Sequence, residues 1–292
     1  MKYDMPLFRP PSEAFSLILQ VTIGCSHNAC TFCGMYKMKR FRVKEWDEIE
    51  SDIREASDYA RGAERIFLAD GNALAMETDL MVRLLNKLYG TFPGLERVTA
   101  YAGPGDLLGK SAAELKTIRD SGLKMLYLGV ESGSDGILKE VNKGVTSAGM
   151  VEAGRKAREA GFDLSVTVLT GLGGKAKSRE NAVETAAVLN KIQPDYIGAL
   201  TLTPTPNTVL YKQIKKGQFE PLTPRENIRE LYWLVRGLSL DNKCLFRCNH
   251  ASNYLPLKGS LPEDRDRLAA LLEDVVNNPQ KYKLKPEYMR GL

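Results

Sequence analysis

The chain has 292 residues, 43% of them hydrophobic, and its 41 Lys and Arg against 36 Asp and Glu give a formal charge of +5. That length can bury a large core in one barrel-like or large α/β domain, and a charge so small and scattered does not mark a nucleic-acid surface. No apolar run approaches the roughly 18 residues that a membrane span needs, and the first residues, "MKYDMPLFRPPSEAF", carry charges and prolines where a signal peptide is apolar; a cytoplasmic protein without membrane contact is expected.

Short β-rich runs alternate with segments of helical period. "FSLILQVTIG" (15–24) precedes "WDEIESDIREASDYARG" (46–62), "RIFLADG" (65–71) precedes "METDLMVRLLNKLYGTF", and "RVTAYAG" (97–103) precedes "KSAAELKTIRDSG". "KMLYLGVESG" (124–133) leads into two helical stretches ending at Gly161, "DLSVTVLTGLGG" (163–174) into "RENAVETAAVLNKIQ", and "DYIGALTLTPTPNT" (195–208) closes the series. Six parallel βα units predict an α/β fold, a partial (β/α)6 TIM-like barrel, whose active edge lies at the strand C-termini. The expected divisions are an N-terminal extension (1–14), the barrel (15–211) and a helical and irregular C-terminal extension (212–292) over the barrel opening. In that extension Thr223 is a helix N-cap with Pro224 at the first helical position, 244–262 reads as irregular, and a last helix follows.

"GCSHNACTFC" (24–33) places Cys25, Cys30 and Cys33 in a C-x4-C-x2-C array, while the rest of the chain holds only Cys244 and Cys248. An odd count of five makes a poor disulfide framework and leaves thiolates free for metal. Zinc needs a fourth ligand, for which His27 is the candidate although it lies only two residues from Cys25. Three thiolates on the loop after the first strand instead suit a [4Fe–4S] cubane with one iron free of protein ligands. Such an iron can chelate an amine and a carboxylate and pass one electron to the bound molecule.

The cysteine loop, with Phe32 before its third cysteine, resembles the radical S-adenosylmethionine (SAM) superfamily, whose cluster cleaves SAM reductively to methionine and a 5′-deoxyadenosyl radical. The family's usual first gap is one residue shorter. Roughly residues 15–210 are similar to the branch containing oxygen-independent coproporphyrinogen oxidases, methylthiotransferases and elongator-type enzymes. The resemblance implies an oxygen-sensitive enzyme served by an external electron donor such as flavodoxin or ferredoxin. It places Phe32 near the adenine and Asp70, Gly71 and Asn72 of "ADGNAL" where the methionine amino group is received, although the family often has Gly-Gly-Glu there. In "YLGVESGSDGILKEVNKG" (127–144) it gives Glu131 to the ribose or methionine end, Ser132 to its support and Lys143 to the cofactor carboxylate. It brings Gly171 of "TGLGG" past the adenine, with Thr167 and Arg179 as further contacts. By sequence alone, Lys143 before Gly144 is also an ordinary cation at a helix C-terminus.

The segment "RCNHASNY" (247–254) supplies the substrate-side candidates His250, Tyr254 and Cys248, the last as a hydrogen-atom donor; a second cluster on Cys244, Cys248 and His250 is the alternative use of these thiols. The expected reaction is hydrogen abstraction from a small-molecule substrate, with intact RNA left open. A nucleoside- or base-modifying lyase and a tetrapyrrole decarboxylase are the enzymatic alternatives. An iron–sulfur or zinc protein that binds RNA or a protein partner is the alternative outside catalysis.

Overall fold

Apolar residues that recur every three or four positions become helices, and short branched runs between them become strands, through nearly the whole chain. In the computed structural model, which describes residues 1–291, these are β1 (Leu17–Gln20), β2 (Thr22–Ile23), β3 (Arg42–Val43), α1 (Trp46–Ala60), β4 (Arg65–Ala69), α2 (Thr78–Thr91), β5 (Arg97–Ala102), α3 (Pro104–Gly109), α4 (Ala112–Asp120) and β6 (Leu123–Glu131). There follow α5 (Asp135–Glu140), α6 (Ser147–Glu159), β7 (Asp163–Thr170), α7 (Ser178–Ile192), β8 (Tyr196–Thr201), α8 (Val209–Lys215), α9 (Pro224–Gly237), β9 (Cys244–Cys248), β10 (Leu257–Leu261) and α10 (Arg265–Asn277). Two units divide them: Met1–Asn28, Cys33–Leu128 and Lys156–Leu164 form one, and Ala29–Phe32, Gly129–Arg155 and the residues from Ser165 onward form the other.

In the first unit β1, β4, β5 and β6 are neighbours in that order and run parallel. Phe67, Leu68 and Ala69 of β4 are fully buried, as expected of a parallel strand covered on both faces. Helix α1 buries Ile49, Ile53 and Ala56, and α2 buries Met81, Leu84, Leu85 and Leu88, so each turns one apolar stripe inward. Phe67, Tyr101 and Tyr127 meet edge to face, with centroids 5.1 to 6.2 Å apart. The N-terminal extension belongs to this core: buried Glu13 accepts hydrogen bonds from the Tyr127 hydroxyl (2.5 Å) and from Arg97 (2.9 Å).

In the second unit β7 and β8 are parallel, and the C-terminal extension adds two strands that the sequence reading left irregular. β9 pairs parallel with β8, and β10 pairs antiparallel with β9, matching Leu257 to Cys248 and Leu261 to Cys244. Both strands alternate buried and more exposed residues, the period of a half-covered sheet. Helix α8 runs across the boundary expected at Tyr211. Thr223 does cap α9, in a reciprocal capping box with Glu226 and with Pro224 opening the helix. Among the described residues no helix is long and apolar enough to cross a membrane.

Candidate cluster and cofactor site

None of the five cysteines is in a disulfide; Cys25, Cys30 and Cys33 are half-buried, whereas Cys244 and Cys248 are buried. In the first unit, the loop that carries Cys25 is seated on the turn after β4. The Gly71 amide donates to the Gly24 carbonyl at 3.0 Å. A Cβ at Gly71 would stand 2.8 Å from the Cys25 Cβ and 2.9 Å from the Gly24 oxygen, so only glycine lets the two backbones meet. Asn72, almost fully buried, accepts from the Ser26 amide at 2.9 Å and donates to the Ser26 hydroxyl at 2.6 Å and to Asp106 at 2.9 Å. Burial raises the pKa of Asp106, and its bonds from Asn72 and the Gly103 amide oppose the rise.

Asp70 is enclosed completely. One carboxylate oxygen accepts from the Gln20 side chain (3.0 Å), the Gly24 amide (3.0 Å) and Lys39 Nζ (2.8 Å). Lys39, also buried, donates to the carbonyls of Asp4 and of Pro6 (2.8 Å) as well. The pair thus ties β1, the residue before Cys25 and the stretch after Cys33 to the N-terminal extension. Burial and the Asp70 charge push the Tyr36 hydroxyl well above the usual phenol range.

In the second unit the segment around Cys30 is held from two sides. The Thr31 amide donates to the Val141 carbonyl at 2.9 Å, and the Thr31 carbonyl accepts from the Leu210 amide at 3.0 Å. Phe32 packs against an apolar cluster of Ile137, Val141, Leu172, Leu202 and Leu210. Glu131 ends β6 in the left-handed region (φ 64°) and accepts from Lys143 Nζ at 3.2 Å. A non-glycine residue is uncommon there and stays only where its surroundings hold it. Gly133 donates its amide to Thr185 of α7 at 2.8 Å, and a Cβ there would lie 2.2 Å from the Glu184 carbonyl oxygen. Ser132 is buried and accepts from the Ser134 amide at 3.1 Å.

Thr167 lies half-buried on β7 in register with Gly198 of β8, Gly171 follows β7 in the left-handed region (φ 85°), and Arg179 is exposed in the first turn of α7. The C-terminal candidates fall on and after β9. Cys244 and Cys248 stand four residues apart on one strand, about 13 Å at about 3.3 Å per residue, so they cannot share one metal cluster. Burial pushes the Cys248 thiol up to about 12. His250 Nδ1 accepts from the Ser252 amide at 3.2 Å, which places the ring proton on Nε2, and burial with the nearby Lys285 charge lowers its pKa. Tyr254 is nearly enclosed. Its hydroxyl donates to Glu287 at 2.6 Å and accepts from Arg290, whose guanidinium also stacks 4.4 Å from the ring centroid. Arg290 binds the Leu202 carbonyl and the Thr203 hydroxyl, each at 2.8 Å, and so fastens the C-terminal segment over the end of β8.

Lys39, Asp106, Glu230 and Arg290 went unnoticed in the sequence. Glu230 alone carried a signal, since the helical period of α9 places it on the buried face with Asn227, Leu231 and Leu234. Among the described residues no three His, Cys, Asp or Glu side chains are gathered as ligands of a single metal ion. The thiol donor set, with Cys25 seated on a glycine cradle, fits a cubane.

Residues 19–188 match the family model described as the Radical SAM superfamily. The heme chaperone HemW of Bacillus subtilis (strain 168) is 27% identical over 175 residues, covering 58% of this chain and 44% of its own. The tRNA-2-methylthio-N(6)-dimethylallyladenosine synthase of Thermoanaerobacter sp. (strain X514) is 23% identical over 236 residues, covering 78% of this chain and 49% of its own. The chain therefore spans about half the length of these curated relatives. Among solved structures, coproporphyrinogen III oxidase (HemN) from Escherichia coli, described as a radical SAM enzyme, superposes with a TM-score of 0.56 at 16% identity, over 74% of this chain and 50% of that one. That likeness shows a shared fold, and members of the matched family use a [4Fe–4S] cluster and SAM. With more than half of its length matched by the family model, the chain belongs to the radical SAM superfamily.

Proposed function

We propose that the protein is an enzyme that cleaves SAM reductively and abstracts a hydrogen atom from a small-molecule substrate. The observation that carries this reading is one loop with three half-buried cysteines, none in a disulfide, in a chain of this superfamily. Cys25, Cys30 and Cys33 would hold a [4Fe–4S] cluster, which supplies one electron for cleavage of SAM to methionine and a 5′-deoxyadenosyl radical. The protein's own part is to position and enclose. Gly71 and Asn72 fix the backbone around Cys25, and Val141 and Leu210 fix the segment around Cys30. In this reading the backbone after β4 receives the methionine amino group, since the Asp70 carboxylate is already bound to Lys39, Gln20 and Gly24. Glu131 accepts hydrogen bonds from the ribose hydroxyls and Lys143 pairs with the methionine carboxylate. Thr167, Gly171 and Phe32 line the adenine, and His250 and Tyr254 serve the substrate side. Flavodoxin or ferredoxin would supply the electron. A nucleoside- or base-modifying lyase is the second reading, favoured by the similarity over 236 residues to the tRNA-2-methylthio-N(6)-dimethylallyladenosine synthase.

Anaerobically reconstituted protein given dithionite and SAM should release 5′-deoxyadenosine, and Cys30→Ala should abolish it. Full cleavage by Cys30→Ala with four irons still bound would overturn the assignment.

A further inference from the structure

Glu230 is a buried acid that the reading above does not use. It projects from the inner face of α9, with 1% of its surface exposed, among Ile228, Leu231 and Leu234. One carboxylate oxygen accepts from the Gly171 amide and from Asn181 Nδ2, each at 2.8 Å, and the other accepts from the Ser178 hydroxyl at 2.5 Å. None of these partners is charged. Thr170, Asn181 and Thr185 also line a cavity of about 10 Å³ beside it, room for one water molecule. A carboxylate enclosed to this degree with no cation beside it favours its neutral form, and burial raises Glu230 to about 7 against the pull of its three donors.

The Gly171 amide opens the turn after β7, at the C-terminal edge of a parallel strand, where such folds bind ligands. The turn closes with the Gly174 amide bonded to the Gly171 carbonyl at 3.1 Å. Leu172, inside the turn, belongs to the apolar cluster against which Phe32 packs, and Phe32 lies between Cys30 and Cys33. We propose that Glu230 is a positioning residue that holds this turn through the Gly171 amide, thereby seating the Ala29–Phe32 segment of the cysteine loop, and that it holds the turn more firmly when ionised than when neutral. As an anion it accepts all three bonds with charge assistance; once protonated it must donate, the Ser178 hydroxyl must reverse, and the bond to Gly171 weakens. The inference rests on the SAM-binding reading only where it extends to cofactor affinity.

Glu230→Gln copies the neutral form. Amide hydrogen exchange in the protein without cluster, corrected for intrinsic rates, should be about tenfold faster at pH 8 in peptides spanning 169–175 and 29–33 of Glu230→Gln, the loss expected for one charge-assisted bond. Peptides of α2 should not change. The wild type should approach the variant's rates as the pH falls through about 7, and the variant should show no such step. Ionisation strengthens the bond to Gly171 but costs the fold as a whole, because enclosing the charge outweighs its three donors: with the folded-state pKa raised, the global stability due to this group is present at low pH and declines as pH rises from the ordinary carboxylate range through about 7. Wild-type thermal stability should show that decline, and Glu230→Gln should lack it. With the cluster reconstituted, the SAM dissociation constant of the variant should rise about tenfold at unchanged iron content. Should Glu230→Gln not fold, Ser178→Ala, which removes one donor to the anion, should move the wild-type step to higher pH. Equal exchange in the two peptides and equal SAM affinity in Glu230→Gln, or an unmoved step in Ser178→Ala, would overturn the proposal. A wild type that shows the exchange step but binds no SAM would instead sustain the role of Glu230 in the turn and refute the function proposed above.

Discussion

Lys39→Met strands a buried carboxylate. The ammonium lies 2.8 Å from Asp70, which is fully enclosed, and it also serves the carbonyls of Asp4 and Pro6. At an effective dielectric of about 20, a pair at this distance attracts with about 6 kcal/mol, much of which is offset by the cost of taking both charges out of water. Removing one member forfeits the attraction and keeps the cost for the other, so the variant should lose about 3–5 kcal/mol. The Gly24 amide and the Gln20 side chain still serve Asp70, which favours the lower end of that range. Urea denaturation of the protein without cluster, followed by circular dichroism, measures the loss. The double variant Lys39→Met with Asp70→Asn, which buries no charge, should be more stable than Lys39→Met alone. A loss below about 1 kcal/mol, the ordinary effect of a point substitution, or a double variant weaker than the single one, would refute the claim that this ion pair fastens the cysteine loop.

Gly71→Ala puts a methyl group 2.8 Å from the Cys25 Cβ, so the folded variant should bind substantially less iron after reconstitution. Gly62→Ala, with open space around it, should bind the wild-type amount, and colorimetric iron analysis separates the two. Gly133→Ala meets the Glu184 carbonyl at 2.2 Å and should cost about 1–3 kcal/mol, the usual penalty of overpacking, read from the thermal midpoint. Cys248, raised to about 12 and buried, should resist iodoacetamide at pH 8.5 in the native protein and react once it is unfolded; rapid native alkylation would contradict its placement.

The βα series was legible because each strand and helix announces its period locally, and the Thr223 cap because a capping box is a local device. The hairpin of β9 and β10 was missed although Cys244, Phe246 and Cys248 alternate with Leu245 and Arg247 in burial. The polar residues around His250 obscure that alternation, because they break the apolar pattern between the two strands. The cysteine loop and Glu131 were legible as motif, but their supports were not. Lys39 reaches Asp70 across 31 positions, and Gly133 is small because α7 crosses it, 52 positions away at Thr185. Such pairings depend on which elements the completed fold brings into contact, and no local pattern encodes them.

In the function proposed above, the loop at 24–33 would present a cubane with one iron open to SAM. Electron paramagnetic resonance of the dithionite-reduced, reconstituted protein tests it directly. A [4Fe–4S]+ signal whose g values shift when SAM is added is the predicted result, and the shift should vanish in Cys30→Ala. A cubane signal that SAM leaves unchanged, or no cubane signal in protein that has bound iron, would contradict the account.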